Sequence, residues 1–420
     1  MKVLLLGGGG REHAIAWKLS QSPRLTKLWA APGSDAIAAH AALAGIDFLD
    51  PAAVAAFVKA NGVELVFVGP EAPLAAGVSD AARAAGALVF GPSRSASRLE
   101  TSKAFAKDFL NEHGIPTARA KSCSGAAEAK AAARTFGGRC AVKADGPAAG
   151  KGVIVTGSVA EADAAVDALA ATPAGSQLVI EERLEGPEVT VMLLVDGRGY
   201  AVLPLSQDHK RLSDGDAGPN TGGMGALSPA PLDAKTWKRI EETILKPTLA
   251  GLAKSGIDYR GALYVGIMLT PEGPKVLEYN ARFGDPETQA VLPMLDADLL
   301  ELAFDCASAK LKPGILPAHR GACVGITLAS PGYPENPKTG AELDLSGASG
   351  SDDVLMFHAG TKRTSSGWKA AGGRVLTVVG RGADLAAARA AAYDAVARLK
   401  IPGLHYRRDI GAKALGRAIA

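Results

Sequence analysis

Glu278 and Asn280 are the residues of this chain best suited to hold a metal-bound phosphate. The run Val276-Leu277-Glu278-Tyr279-Asn280 reads as a strand. Side chains alternate along a strand, so Glu278 and Asn280 share a face. Two neighbouring oxygen donors suit a divalent cation such as Mg²⁺, which takes one or two protein oxygens and fills its octahedron with phosphates and water. Arg282 follows, where a guanidinium could neutralise charge developing on a transferring phosphoryl group. The plain alternative is a sheet-edge acid before a capped helix start at Asp285-Pro286-Glu287.

Upstream, Val142-Lys143-Ala144 reads as a strand presenting a lysine, followed by Asp145-Gly146-Pro147-Ala148-Ala149-Gly150-Lys151-Gly152. A strand lysine can act as a fixed cation for α- and β-phosphates, and a Gly-rich loop containing Gly150 can close over them and exclude water. It is not a P-loop of the G-x-x-x-x-G-K-[ST] type, because Gly152 follows Lys151. Lys103, in the preceding helix, is a second candidate phosphate cation, although a lone helix lysine is more often solvated. Val179-Ile180-Glu181-Glu182-Arg183-Leu184-Glu185-Gly186-Pro187-Glu188 delivers acids from a strand end. Backbone groups beside Glu181 and Glu182 could pair with an adenine edge, Leu184 could cover its face, and Glu188 could bind ribose hydroxyls. Taken alone, such an acidic strand end is usually solvated surface.

The glycine cluster 7–10 sits between a first strand and a first helix, where backbone N–H groups and the helix N-terminus favour phosphate. An NAD fingerprint is disfavoured. Glu12 holds the place of its third glycine, and the second strand ends in Ala30-Ala31 without the acid that binds a ribose. A tight structural turn remains the competing reading. Glu71, in Gly69-Pro70-Glu71, and Ser93, in Gly91-Pro92-Ser93, stand at further strand ends on the same edge. Ligands gather at such ends in open α/β sheets. Glu71 reads equally well as a ribose acceptor or as a solvated loop acid.

The elements that must position these groups follow from hydrophobic pattern. Strands at 3–6, 25–30, 65–68 and 88–90 alternate with helices at 11–20, 51–61 and 79–85, which predicts a parallel sheet with helices on both faces. After about residue 102 the texture changes. A helix is expected at 101–113, strands at 141–144 and 178–181, and a hairpin at 190–205 around Asp196-Gly197-Arg198-Gly199. A long Gly-rich loop follows at 206–230, too long for a mere connector. A helix at 234–255 and an antiparallel pair at 261–270 and 275–280 come next. Strands near 354–358 and 374–379 and a helix at 383–399 suggest a small α+β terminal domain.

Composition bounds the class. With 420 residues, 47% apolar and 21% charged, the chain reads as a multidomain globular protein. A net charge of +3 gives no argument for nucleic acid or membrane. No apolar run approaches the roughly 20 residues of a bilayer span, and the apolar N-terminus is too short for a signal segment. A cytoplasmic protein is expected. Cys123, Cys140, Cys306 and Cys323 show neither zinc-site nor disulfide spacing.

In this order the clusters resemble the ATP-grasp superfamily and, within it, the glycinamide ribonucleotide synthetase family. Gly7-Gly8-Gly9-Gly10-Arg11-Glu12-His13-Ala14 is similar to that family's G-x-G-G-R-E-H-A, with Gly8 where Asn is frequent. Ser206-Gln207-Asp208-His209-Lys210-Arg211 and Gly218-Pro219-Asn220-Thr221-Gly222-Gly223-Met224-Gly225-Ala226 resemble its central loop. Arg282-Phe283-Gly284-Asp285-Pro286-Glu287-Thr288-Gln289 resembles its signature. Phe357-His358-Ala359-Gly360-Thr361, Gly372-Gly373-Arg374-Val375-Leu376 and Arg408-Asp409-Ile410-Gly411 extend the likeness almost to the end.

The resemblance implies ATP-dependent joining of glycine to 5-phosphoribosylamine through glycyl phosphate, with Mg²⁺ or Mn²⁺ on Glu278 and Asn280. Lys103 and Lys143 would face the triphosphate and Arg282 the transferring group. Gly9, Gly10, Glu12, Glu71 and Ser93 would serve the phosphoribosylamine. Asp208, Asn220 and Asp214 would lie near glycine or the γ-phosphate. It also implies an N-terminal α/β domain at 1–101, an ATP-grasp lid and linker at 102–190, a central catalytic ATP-grasp domain at 191–328 and a C-terminal α+β domain at 329–420. Small-molecule substrates and a monomer are expected. The alternatives are another acyl-phosphate-forming ATP-grasp enzyme, distinguished by bicarbonate in place of glycine, and a non-catalytic nucleotide-binding regulator. The latter should have lost some of Lys143, Glu278, Asn280 and Arg282.

Overall fold

The apolar run after Met1 forms the strand Lys2–Gly7, buried from Val3 onward, as a strand covered on both faces of a parallel sheet must be. In a computed structural model, which describes residues 1–146, 152–348 and 352–416, this strand is the centre of a five-stranded sheet. Its order is Ala42–Leu43, Lys27–Pro32, Lys2–Gly7, Leu65–Val68, Leu88–Phe90, all parallel. The strand order reverses at the centre, so the glycine loop 7–10 and the Gly69-Pro70-Glu71 turn flank the crevice where such sheets bind ligands. Gly150 lies outside the described residues.

The next unit is a small antiparallel sheet ordered Ala120–Cys123, Leu178–Glu182, Cys140–Ala144, Val153–Val155. Helices Ala126–Thr135 and Val159–Ala170 pack on it. Alternation sends Cys140, Val142, Leu178 and Ile180 into an apolar core of its own with Ala132 and Val166. Lys143 and Glu181 therefore project from the other face. The expected helix at 101–113 is Lys103–Glu112, after a short turn Arg98–Thr101. Ser102 separates them, its hydroxyl accepting from Phe105 N.

Facing the small sheet is a mixed sheet ordered Gly273–Asn280, Arg260–Thr270, Glu188–Asp196, Tyr200–Val202, Gly314–Ile315. Its register shifts beside Gly266, which pairs with Glu278 while Ile267 pairs with Val276. Leu277 is the extra residue of a bulge, and both Leu277 and Glu278 reach the cleft. The expected helix at 234–255 is present as Ala234–Ile240 and Lys246–Lys254 joined by a π turn, Glu241–Leu245. Pro247 has no N–H to donate backward, and a widened turn before it accommodates that loss.

The segment 206–230 is not the plain loop its glycines suggested. It contains strands Gln207–Asp208, Arg211–Ser213, Ala217–Asn220 and Gly225–Ser228. The last is wholly buried and pairs with Ala322–Ala329. A Cβ on Gly225 would lie 2.5 Å from Gly325 O, so glycine serves close strand approach there. The C-terminal sheet is accordingly interlaced, ordered Gln207–Asp208, Gly225–Ser228, Ala322–Ala329, Arg374–Gly382, Val354–His358, with helix Leu385–Arg398 against it. The expected divisions at 190/191 and 328/329 fall inside the strands Glu188–Asp196 and Ala322–Ala329. Among the described residues, no helix is long and apolar enough to cross a membrane.

His13, on the first helix, meets the edge strand of the C-terminal sheet, where His358 N donates to His13 Nδ1 at 2.9 Å. Burial, then the neighbouring His358 and His40, push His13 down to about 3. Burial and Arg363 take His358 down to about 4. Burial and Arg407 do the same to His209, also to about 4. The folded protein resists protonation at these rings, while the unfolded chain takes up protons near pH 6.5. Their contribution is thus complete above pH 6.5 and is lost as pH falls toward 4. At pH 5, each should cost roughly 2 kcal/mol relative to pH 7.5. Urea unfolding at the two pH values checks this; equal stabilities would contradict it.

Candidate active site

Between the small lid-like sheet and the mixed sheet lies a cleft of about 810 Å³, the size of a pocket that encloses a nucleotide-sized ligand. It is lined by Glu71, Lys103, Lys143, Glu181, Glu182, Leu184, Glu188, Asp208, Asn220, Glu278, Asn280 and Arg282. Gly9, Gly10, Glu12 and Ser93 are not among its lining residues.

Lysines enter from two elements: Lys143 from the small sheet, and Lys103 and Lys107 from the helix Lys103–Glu112, which packs against the strand Gly273–Asn280. Lys143 Nζ sits 2.9 Å from Glu181 Oε1 and donates to Leu277 O at 3.2 Å. Lys103 Nζ donates to Gly146 O at 3.2 Å, and burial pushes its pKa down. A third lysine, Lys107, was not singled out in the sequence, although its i, i+4 spacing from Lys103 puts both on one helix face. It lies 3.0 Å from Glu181 Oε2, and burial, partly offset by that acid, lowers it to about 8. Glu181 is thus a buried acid bridging two lysines. The carboxylate of Glu182 is engaged by Arg119 at 2.6 Å and Lys275 at 3.6 Å. Leu184, Ala106, Met268 and Leu277 supply the apolar part of the same wall.

Glu278 and Asn280 line the same cleft. Lys210 Nζ lies 3.1 Å from Glu278 and 3.2 Å from Glu188. Lys210 drives the Glu278 carboxyl down to about 2 against the cost of burial, helped by Lys143 and Lys103. Burial acts against the charge of Lys210, but Glu188 and Glu278 more than offset it and hold its pKa high. Lys210 was within a quoted motif but not assigned a role; its partners lie far away in sequence.

Arg282 is gripped by acids. Its Nη2 is 3.0 Å from Glu100 Oε1 and its Nε 3.6 Å from Glu71, and it reaches Asn280 Oδ1 at 3.4 Å. Burial opposes its charge, yet Glu100 and Glu71 raise its pKa. Glu100 also accepts from Ala281 N at 2.7 Å; burial still pushes its carboxyl up despite Arg282. Glu71, placed by sequence at a ribose, is turned toward this arginine. Deeper in, Asp208 is pushed well up by burial and by Glu287. A Cβ on Gly223 would meet Asp208 at 2.8 Å, so glycine leaves room for that carboxyl. Arg374 ties this region to the C-terminal sheet, 2.9 Å from Asp285 and donating to Asp285 O at 2.8 Å.

In the glycine loop, Glu12 accepts from Gly9 N at 2.8 Å and Arg11 Nε at 2.6 Å. It is 2% exposed, so its carboxylate braces the loop from inside. Arg11 Nη1 donates to Phe283 O at 3.2 Å, linking the loop to the Arg282 segment. Ser93 bonds Ser95 at 2.9 Å and accepts from Ala96 N at 3.2 Å.

A nucleotide-sized cleft gripped between a small helix-backed sheet and a larger sheet is the ATP-grasp arrangement. Residues 101–288 match the phosphoribosylglycinamide synthetase ATP-grasp (A) domain. Residues 1–100 match the N domain of that synthetase and 323–413 its C domain. The chain belongs to the phosphoribosylglycinamide synthetase family. It is 47% identical to a phosphoribosylamine–glycine ligase of Streptomyces coelicolor, over 99% of this chain and 100% of that one. It is 44% identical to one from Ralstonia nicotianae, over 99% and 100%. A crystal structure of phosphoribosylamine–glycine ligase from Thermotoga maritima superimposes with a TM-score of 0.85 at 33% identity, covering 98% of this chain and 100% of that one. A biotin carboxylase from Campylobacter jejuni shares the fold, with a TM-score of 0.72 at 17% identity, over 96% of this chain and 93% of that one.

Proposed function

We propose that this chain joins glycine to 5-phosphoribosylamine at the expense of ATP, giving glycinamide ribonucleotide, ADP and phosphate in purine biosynthesis. The observation that carries this reading is the convergence of Lys103, Lys143, Glu278, Asn280 and Arg282 on one cleft, in a chain aligned end to end with phosphoribosylamine–glycine ligases. A glycine carboxylate oxygen attacks the γ-phosphorus and ADP leaves, forming glycyl phosphate. The amine nitrogen of phosphoribosylamine then attacks the acyl carbon, phosphate departs, and the nitrogen loses a proton. No enzyme nucleophile is required; the protein contributes positioning and charge.

Lys103 and Lys143 are assigned to the polyphosphate, and Leu184 with the backbone at Glu181 and Glu182 to the adenine. Glu188 is assigned to the ribose and Arg282 to the transferring phosphoryl group. Asp208 and Asn220 are assigned to the glycine end. Gly9, Gly10, Glu71 and Ser93 belong to the phosphoribosylamine side, with Glu12 holding that loop in shape. Glu278, kept ionised, and the amide oxygen of Asn280 fit a hard divalent cation, Mg²⁺ or Mn²⁺. Such a cation supplies charge neutralisation across the phosphates.

The test is ADP release with glycine and freshly prepared phosphoribosylamine. ADP is expected with both substrates and a divalent cation present. Equal release without glycine, or with bicarbonate in its place, would overturn the assignment.

A further inference from the structure

The hairpin formed by Arg211–Ser213 and Ala217–Asn220 is a sheet of two strands. Such ribbons are marginal alone, and residues 214–219 are exposed. Its turn also holds Asp216 at φ 55°, in the left-handed region that residues with a side chain adopt less readily than glycine. Yet this hairpin hangs between Lys210 and Asn220, both in the cleft wall. Its conformation needs support from elsewhere.

The support is the segment 405–413. Arg407, 1% exposed and not a cleft-lining residue, is its hub. Its Nε and Nη2 donate to the two oxygens of Asp409, each at 2.8 Å. Its Nη1 lies 2.8 Å from Asp216 Oδ1 and donates to Arg211 O at 3.1 Å. Asp409 Oδ2 in turn accepts from Gly215 N at 2.8 Å. Arg408 N donates to Asp214 Oδ1 at 2.7 Å, and His405 Nε2 meets Leu212 O at 2.8 Å. Lys413, which lines the cleft together with Asp216, pairs with that carboxylate. A single planar guanidinium thus joins the carboxylate that holds Gly215, the carboxylate of the strained turn residue and the carbonyl that starts the hairpin. A lysine cannot reach three such acceptors in one plane.

We infer that Arg407 is a positioning residue for the ligation reaction: by clasping the 214–216 turn it sets Asn220, at the end of the hairpin's second strand, at the glycine end of the cleft. Its action is on the acceptor end, while the adenine wall at Glu181, Glu182 and Leu184 belongs to a sheet with its own core. The inference rests on the ligase reading.

The experiment compares the unaltered protein with Arg407→Lys and Asp216→Asn. The readouts are kcat and KM for glycine, ADP affinity by titration, thermal midpoint, and proteolysis of segment 211–220. Arg407→Lys is expected to lower kcat/KM for glycine by about ten- to a hundredfold, the scale of a displaced reacting group. ADP affinity is expected to stay within about twofold, because the adenine wall lies outside the clasp. Asp216→Asn, at a partly exposed site, should shift the same quantities in the same direction if Arg407→Lys fails to fold. Unchanged glycine kinetics in folded variants would overturn the inference. So would a loss of activity matched by an equal loss of ADP binding. If the unaltered protein shows no glycine-dependent turnover, the ligase reading falls. The clasp is then judged by proteolysis, and unaltered cleavage of 211–220 in Arg407→Lys would remove it.

Discussion

Glu278→Gln is expected to reduce turnover by about 10²–10³-fold while leaving the fold intact. The substitution keeps the shape and removes the charge. In the folded protein Glu278 is held ionised first by Lys210 and then by Lys143 and Lys103, against burial. It is therefore a fixed negative charge among three of the cleft lysines. A neutral amide is a poorer ligand for a hard cation, and it removes one of the counter-charges of these lysines. Lys210 keeps Glu188 at 3.2 Å, so the substituted protein does not bury an unpaired ammonium. The check is kcat across a Mg²⁺ titration, with circular dichroism and the thermal midpoint as controls for folding. Near-normal rates at saturating Mg²⁺ would take Glu278 out of the reaction centre.

Arg282→Met should be more disruptive still, because it removes two things at once. Turnover is expected to fall by about three orders of magnitude, the loss associated with a guanidinium that faces a transferring phosphoryl group. Stability is expected to fall by about 3–5 kcal/mol, since one partner of a buried ion pair is removed and Glu100 is left uncompensated. The two effects separate in the double substitution Arg282→Met with Glu100→Gln. That protein should recover most of the stability, because no charge is stranded, and none of the turnover. Denaturant unfolding and ADP-release kinetics on the single and double variants measure both. Recovery of turnover in the double variant would mean that Arg282 does no more than neutralise Glu100.

What the amino-acid order disclosed and what it hid divide along a physical line. Buried parallel strands are short apolar runs ending in glycine, so the N-terminal sheet was readable from 3–6, 65–68 and 88–90. Alternation put Lys143 and Glu278 on usable faces before any fold was known. The 206–230 segment misled because glycine was taken as a sign of loop, whereas Gly225 is small so that Gly325 O can approach its backbone. The bulge at Leu277 left no mark in the hydrophobic pattern. Lys210, Glu100 and Arg374 carry no local sign of their roles, for a common reason. Each acquires its environment from residues distant in the chain, as Arg374 does from Asp285 and Glu100 from Arg282. Residue type is local information, but pairing is not. Lys107 differs: its i, i+4 spacing from Lys103 is local information.

The interlaced C-terminal sheet and the Arg407 clasp bear on how the protein is born. A ribosome adds about 5–20 residues per second and releases domains in order from the N-terminus. Gly225–Ser228 emerges well before its partner strand Ala322–Ala329, and the 214–216 turn emerges before Asp409 and Arg407. One wall of the cleft must wait, unpaired, for segments made later in translation. A nascent chain should acquire its N-terminal sheet and its lid early, yet remain catalytically silent until the 405–413 segment arrives. Prematurely terminated products lacking that segment would then hold nucleotide without consuming it.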